Sequence, residues 1–316
     1  MPGPEPLKPI PRSVRYVKLG EKGRWWKASR ERGELHGGWG AVPDELIASR
    51  DYGAIEALLR DLWGDKRGAT QDVNMLFTLL KEPSHHVWIT FEDGYLWWCT
   101  VTDQVTVNPD RSDPSIGHFW LKCERQWSNA SIGGRTLEMA NLPGSVTATA
   151  GYRATACEPA AAAQVLRLVL DEVDPEVTKA NDARREFELA VGALVRRLGH
   201  KDFELLVDLV LARSGWARVA KLGGATEGID VEVENPATGE IAFVQVKSVA
   251  QQGVLDDYVG RFQERRGRYQ RMIFAVHSTR VPLEAPADPA VQVWDVADIA
   301  RLTVRLGLSD WVASRI

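Results

Sequence analysis

The chain changes its hydrophobic rhythm partway along. In the first 130 residues the apolar positions come in short β-type runs, Val14–Leu19, His86–Phe91 and Tyr95–Val101. Between the last two stands Glu92-Asp93-Gly94, a turn sequence that predicts a hairpin. Helical spacing intervenes at Pro43–Ser49 and Ala54–Leu62. From Pro159 the period becomes three to four residues. It predicts helices over Ala160–Val173, over about Asp182–Leu198, where Gly199 stops the run, and over Lys201–Ala212. In the last of these Phe203, Leu206, Val207, Val210 and Leu211 share a face, and Glu204 adjoins it. Gly215-Trp216 ends that helix. A strand over Ala217–Lys221 follows, then a hairpin turned at Asn235-Pro236-Ala237-Thr238-Gly239. Further strands at Met272–Val276 and Val291–Trp294 alternate with helices near Asp256–Gln270 and Val296–Leu306. The order α-β-β-β-α-β predicts a mixed sheet flanked by helices, an α/β domain. The first half reads as α+β, a small curved sheet or partial barrel.

Composition supports a division. A length of 316 residues suits two domains better than one. Nine of the twelve tryptophans precede residue 130. The boundaries expected are a Pro-rich, poorly ordered arm over 1–13, a Trp-rich domain over 14–155, a helical linker over 156–198 and a C-terminal α/β domain over 199–316. The 44% hydrophobic and 26% charged residues are those of a soluble globular protein. No apolar run approaches the roughly 18 residues of a membrane span, and the N-terminus lacks the apolar core of a signal peptide. Cys99, Cys123 and Cys157 are odd in number and widely spaced, so neither a disulfide framework nor a zinc knuckle is expected. A cytoplasmic location follows as the expectation.

A net charge of −4 argues against nucleic-acid binding over the whole surface. Basic groups nevertheless cluster at Arg24, Lys27, Arg30 and Arg32, at Arg184, Arg185, Arg196 and Arg197, and at Arg261, Arg265, Arg266, Arg268 and Arg271. Each cluster could contact phosphates, and each could equally be the solvated face of a helix.

The candidate chemistry lies in Gly223-Gly224-Ala225-Thr226-Glu227-Gly228-Ile229-Asp230 and Val244-Gln245-Val246-Lys247. A tight turn delivers an acid onto one strand, and the returning strand carries an amide and an amine two residues apart, on one face. Asp230 can therefore approach Lys247. A carboxylate able to hold a hard divalent cation, beside an ammonium able to orient water or phosphate, is what hydrolysis of a phosphodiester requires. The plain alternative is a solvated hairpin, for which Asp230, Glu232 and Glu234 have the right alternation. Ile241 and Phe243 weigh against it, because they share parity with Gln245 and Lys247 and imply a partly buried face on which lysine is rare.

These residues also carry a family resemblance. Phe203-Glu204, Gly223 through Asp230, and Gln245-Val246-Lys247 resemble the pattern of the Mrr-type restriction endonuclease domain, a branch of the PD-(D/E)xK nucleases, from about Leu198 onward. One departure is Glu227, where many relatives carry Gly or Asp. Gln245 replaces the acid of the commoner superfamily motif, as is typical of this branch. The resemblance implies a restriction-endonuclease-like fold and cleavage of double-stranded DNA dependent on Mg²⁺, with Mn²⁺ substituting. It implies Asp230 on the metal and Lys247 at the attacking water, with Glu204 often completing the site. The carbonyl of Val246 is the further expected metal ligand, and Gln245 is expected to position water or support the metal shell. Cutting both strands of a duplex needs two centres, so a homodimer or a DNA-induced pairing is expected.

The stretch Tyr16 to Trp39 resembles, more loosely, the opening of EVE/YTH-like modules of the PUA superfamily, over roughly residues 14 to 130. In such modules a flipped base stacks between aromatic rings. Trp25, Trp26, Trp39, Trp97 and Trp98 are the candidates for that cage, and Asp103 for reading a base edge. Core packing is the competing role for every one of these tryptophans, and strand alternation predicts that only one of Trp97 and Trp98 points inward. His36, His85 and His86 carry no metal-site spacing, and no nucleotide-binding GKS/GKT loop is present. Together the two resemblances predict a modification-dependent DNA endonuclease reading a modified base, plausibly a modified cytosine. The alternatives are a defence effector nuclease released by a small ligand or partner, cutting DNA non-specifically, and a binding module with a dead centre.

Overall fold

The structure, a computed structural model, describes residues 9–63, 67–219 and 231–316. The chain divides into two compact units, Met1–Pro175 and Glu176–Ile316.

The first unit is built on a six-stranded mixed sheet. In chain order its elements are β1 (Ser13–Val17), α1 (Trp26–Arg32), β2 (Glu34–Gly37), α2 (Asp44–Ser49), α3 (Tyr52–Trp63), α4 (Arg67–Leu80), β3 (His86–Glu92), β4 (Tyr95–Val107), β5 (Phe119–Ser128), α5 (Gly144–Thr147), β6 (Ala156–Cys157) and α6 (Ala162–Leu170). The strand order is β2-β5-β4-β3-β1-β6. The expected hairpin joins β3 to β4, with Glu92 opposite Tyr95. Asp93 and Gly94 between them both have positive φ, 53° and 83°, which is the geometry a two-residue hairpin turn demands. Register shifts between Trp98 and Val105 interrupt the β4–β5 ladder, and such irregularities bend a sheet.

Helices cover both faces of this sheet. Trp88, Trp97, Cys99 and Val101 pack with Ile55, Leu59, Leu76 and Leu79 on one side. Val87, Ile89, Leu96 and Trp98 pack with Val165, Leu166 and Val169 of α6 on the other. The expectation that only one of Trp97 and Trp98 is inside is therefore corrected. They do alternate, but each side has its own core, and they are 8% and 5% exposed.

The second unit contains α7 (Pro175–Val195), α8 (His200–Arg213), β7 (Ala217–Arg218), β8 (Val231–Asn235), β9 (Glu240–Ala250), α9 (Gln252–Glu264), β10 (Arg271–Thr279), β11 (Val291–Trp294), α10 (Val296–Arg305) and α11 (Ser309–Ala313). Its sheet order is β11-β10-β9-β8-β7. The β7–β8 and β8–β9 pairs are antiparallel, and β9–β10 and β10–β11 are parallel. From α8 to β10 the order is α-β-β-β-α-β, as the hydrophobic pattern predicts. The β8–β9 turn falls at the expected residues: Asn235 Oδ1 accepts from the Ala237 amide at 3.0 Å, and Gly239 has φ 71°.

The segment 156–198, expected as a linker, is shared out. Its first helix contributes to the first unit's core, whereas Val191, Val195 and Leu198 lie in the second unit's core with Phe203, Leu206 and Val207. No helix among the described residues is long and apolar enough to cross a membrane.

Candidate nuclease centre

Strand β9 is the middle of its sheet and is buried on both faces. Ala242, Val244 and Val246 face α8 and α10, packed among Phe203, Leu206, Val207, Ile299 and Ala300. Phe243, of opposite parity, packs with Leu255 and Phe262 of α9 and with Tyr269. Gln245 and Lys247 follow Phe243 by alternation, so they emerge on the α9 face. Gln245 is fully buried. Lys247 is half-buried, its Nζ 5.6 Å from the centre of the Tyr258 ring on α9. The ammonium thus lies over an aromatic ring, two residues along the strand from the buried Gln245. That confines it near the sheet, where a substrate group could be oriented.

Asp230 and the Gly223–Ile229 turn lie outside the described residues, so their expected convergence on Lys247 is not visible. The last pair seen in the ladder is Val231 opposite Val244. Glu232, on the next α9-facing position of β8, is held firmly. Its carboxylate accepts two bonds from the Arg268 guanidinium, at 2.9 and 2.8 Å, and one from the Tyr269 hydroxyl at 2.7 Å. Burial and then the Glu232 carboxylate push the Tyr269 phenol up to about 12, so it stays a donor. This clamp fixes the strand on which Asp230 would enter.

Glu204 stands on α8, the helix that packs against the Val244–Val246 face, opposite to the side of Gln245 and Lys247. Its carboxylate is 3.1 Å from Nε2 of His200, one turn back. The Val246 side chain is fully buried in the α8-side core. Among the described residues no three His, Cys, Asp or Glu side chains gather as a metal site.

The base-cage candidates are distributed as follows. Trp26 packs edge-on against Trp97 and Trp127, at centroid distances of 4.8 and 5.8 Å, and its Nε1 donates to Asp93 at 2.8 Å. The Arg30 guanidinium lies over Trp97 at 5.1 Å and over Trp26 at 6.0 Å. Trp25 donates to the Pro114 carbonyl at 3.2 Å, and Trp39 stacks near Phe119 at 6.5 Å. These four belong to one core, while Trp98, donating to the Ala130 carbonyl at 2.7 Å, lies in the core across the sheet. The five indoles therefore do not line one pocket. Asp103 is already engaged, accepting from the Ser84 amide at 3.1 Å and hydroxyl at 2.8 Å. Burial works its carboxyl upward, but these bonds, with Arg50 and His85 nearby, hold it below the usual carboxylate range.

One buried group escaped sequence reasoning. His277 lies near the end of β10, before Ser278 and Thr279 and beyond the predicted Met272–Val276 strand, and is 6% exposed. A lone histidine continuing an apolar run is the signal that was available.

The α-β-β-β-α-β core, with an amide and an amine on one face of its central strand, defines the class of restriction-endonuclease-like nuclease folds. Residues 185–302 match the family model for the Mrr catalytic domain, described as restriction endonuclease. The second unit thus carries a restriction-endonuclease domain of Mrr type. No curated protein sequence matches the chain significantly.

Proposed function

We propose that the protein is a modification-dependent restriction endonuclease, hydrolysing DNA phosphodiesters with a divalent metal after its Trp-rich unit has engaged a modified base. One observation carries the reading: Gln245 and Lys247 project from one face of a doubly buried strand, inside the segment matched to restriction endonucleases. Routine surface chemistry does not put lysine there. If the β8–β9 ladder continues by one pair beyond Val231 and Val244, Asp230 comes opposite Gln245.

The donors we propose for the metal are hard oxygens, namely the Asp230 carboxylate, the Gln245 amide and the Val246 carbonyl; Glu204, on the α8 side of the sheet, is left out of the set. The second unit contains no cysteine. That set fits Mg²⁺ or Mn²⁺ and not a thiol-seeking ion. Such an ion, bound there, would stabilise charge on the scissile phosphate and lower the pKa of water. Lys247 orients the attacking water and neutralises the phosphate, and Gln245 fixes the water's position. Tyr258 and the Glu232–Arg268–Tyr269 clamp hold the two strands that carry these groups.

The base reader would use the Trp26–Trp97 edge with Arg30, where aromatic surface and a cation meet. Modified cytosine is the base proposed, and a homodimer supplies the second cut. A second reading, a ligand-released effector nuclease, is favoured by the burial of all five candidate tryptophans, which leaves no open cage among the described residues.

The test is digestion of matched plasmids carrying cytosine, 5-methylcytosine, 5-hydroxymethylcytosine or glucosylated bases, with Mg²⁺ and with chelator. Cleavage confined to one modified plasmid and to Mg²⁺ is expected. Equal cleavage of all four would favour the effector reading. Lys247→Ala should lower cleavage at least about a hundredfold while DNA binding remains measurable by gel shift. Undiminished cutting by the purified variant would remove Lys247 from the centre.

A further inference from the structure

The second unit has a cleft lined from both faces of its sheet, by Arg196, His277 and Val296 and by Val276, Leu283 and Val293. It lies at the carboxyl ends of β10 and β11, beside the start of α10. Crevices at the carboxyl ends of parallel strands are where open α/β sheets most often take ligands. The cleft has a volume of about 550 Å³, within the range of small-molecule sites.

Its polar lining is unusual for a structural void. Arg196, His277, Ser278 and Thr279 contribute to it, with apolar wall from Leu283 and Val293. His277 is 6% exposed, and its Nε2 has no hydrogen-bond partner among the described residues. On the other ring nitrogen, Nδ1 lies 2.9 Å from the Ser278 hydroxyl. The Phe203 ring meets the imidazole edge-to-face at 4.5 Å, fixing its plane. Register places Ser248 level with His277, between the pairs Val276–Lys247 and Ser278–Val249. The Ser248 hydroxyl is also buried and unpartnered among the described residues. Leaving such a group without a partner costs about 1–3 kcal/mol, and His277, unlike Ser248, lines the cleft and calls for an occupant there.

The chemistry of that occupant can be narrowed. Burial, with the Arg196 cation nearby, pushes the His277 pKa down, so the ring is neutral. When the Ser278 hydroxyl donates to Nδ1, the proton sits on Nε2 and that atom is a donor. Arg196 forms no ion pair among the described residues. The one acid of the lining, Asp295, is spent on capping α10, accepting from the Ala297 and Asp298 amides at 2.8 and 2.9 Å. A guanidinium, an imidazole N–H and several hydroxyls suit phosphoryl oxygens, and the apolar wall suits a sugar or base.

We propose that this cleft binds the phosphate-bearing end of a nucleotide, with Arg196 and His277 as its phosphate contacts. The inference goes beyond the cleavage reading and does not depend on it, since neither Gln245 nor Lys247 lines the cleft. The nucleotide can be free or part of a DNA strand, and the two sources give different results below.

The test is calorimetric titration of the full chain in chelator, with 5′-dAMP, 5′-dCMP, inorganic phosphate and a short duplex as probes. Arg196→Gln removes an exposed charge and should leave the melting temperature unchanged, while weakening binding of at least one nucleotide probe about tenfold. His277→Gln should weaken the same probe about tenfold, and in the wild type the His277 ring proton resonance should shift on saturation. A tenfold loss for the mononucleotides identifies a free ligand. A loss confined to the duplex identifies a strand of DNA. The proposal is overturned if no probe binds, or if Arg196→Gln binds all of them like the wild type. Because metal is absent throughout, failure here leaves the Lys247 centre untouched, and an inactive Lys247 variant leaves this cleft untouched.

Discussion

Tyr269 shows how a single hydroxyl supports the β8–β9 hairpin. The side chain is fully buried, and its hydroxyl joins the Arg268 guanidinium in holding the Glu232 carboxylate. Tyr269→Phe keeps the packing and removes the donor. It should cost about 1 kcal/mol, read as a lower urea midpoint. His86 makes a different statement, about pH. Burial first, then the Arg15 cation and His85, push its pKa from 6.5 down to about 4, and its Nδ1 lies 3.0 Å from the Ser13 hydroxyl on the neighbouring strand. The unfolded chain takes up a proton as pH falls through 6.5, but the folded chain refuses it until about 4. Stability should therefore be flat above about 7 and decline between roughly 6.5 and 4. His86→Gln should make that decline shallower in denaturant melts at several pH values. It should not flatten it, because burial depresses His36 and His118 as well.

At the level of elements, a bend without a side chain sets the entry to the first unit. A Cβ on Gly38 would strike the far edge of the Trp25 ring. That ring cannot swing away easily, being 5% exposed and bonded to Pro114. Gly38→Ala should cost roughly 1–3 kcal/mol in thermal or urea unfolding, and a neutral result would mean that the Gly37–Gly40 loop moves freely. The elements of the second unit were largely readable beforehand, because β9 keeps strict two-residue parity. Ile241, Phe243, Gln245 and Lys247 share one face, and the apolar pair marks it as covered. The first unit was harder. Trp97 and Trp98 both being core depends on α6, a helix remote in sequence that covers the second face. Local pattern could not announce that, nor the pairing of β2 with β5. Helix α4 was missed because polar residues such as Asp72 and Asn74 break up its apolar stripe. His277 was missed for another reason: nothing local shows that the cleft at the end of β10 remains open.

Taken whole, the proposed function puts chemistry and recognition in different units of the chain. A fragment Glu176–Ile316 contains a complete core of its own, with Val191 and Val195 of α7 included. Expressed alone, it should unfold in one cooperative transition and nick plasmid DNA in Mg²⁺, having lost any preference for modified bases. Relative digestion rates of modified and unmodified plasmids, full chain against fragment, measure this directly. A fragment that still discriminates would move the recognition step into the nuclease unit.

The lopsided placement of tryptophan has an optical consequence. Nine of the twelve indoles belong to the first unit, among them the mutually edge-on Trp26, Trp97 and Trp127. Only Trp216, Trp294 and Trp311, all half-buried, represent the other. Intrinsic fluorescence and near-ultraviolet dichroism are thus a built-in reporter of one body, while a nuclease unit that melts separately would stay almost dark to both.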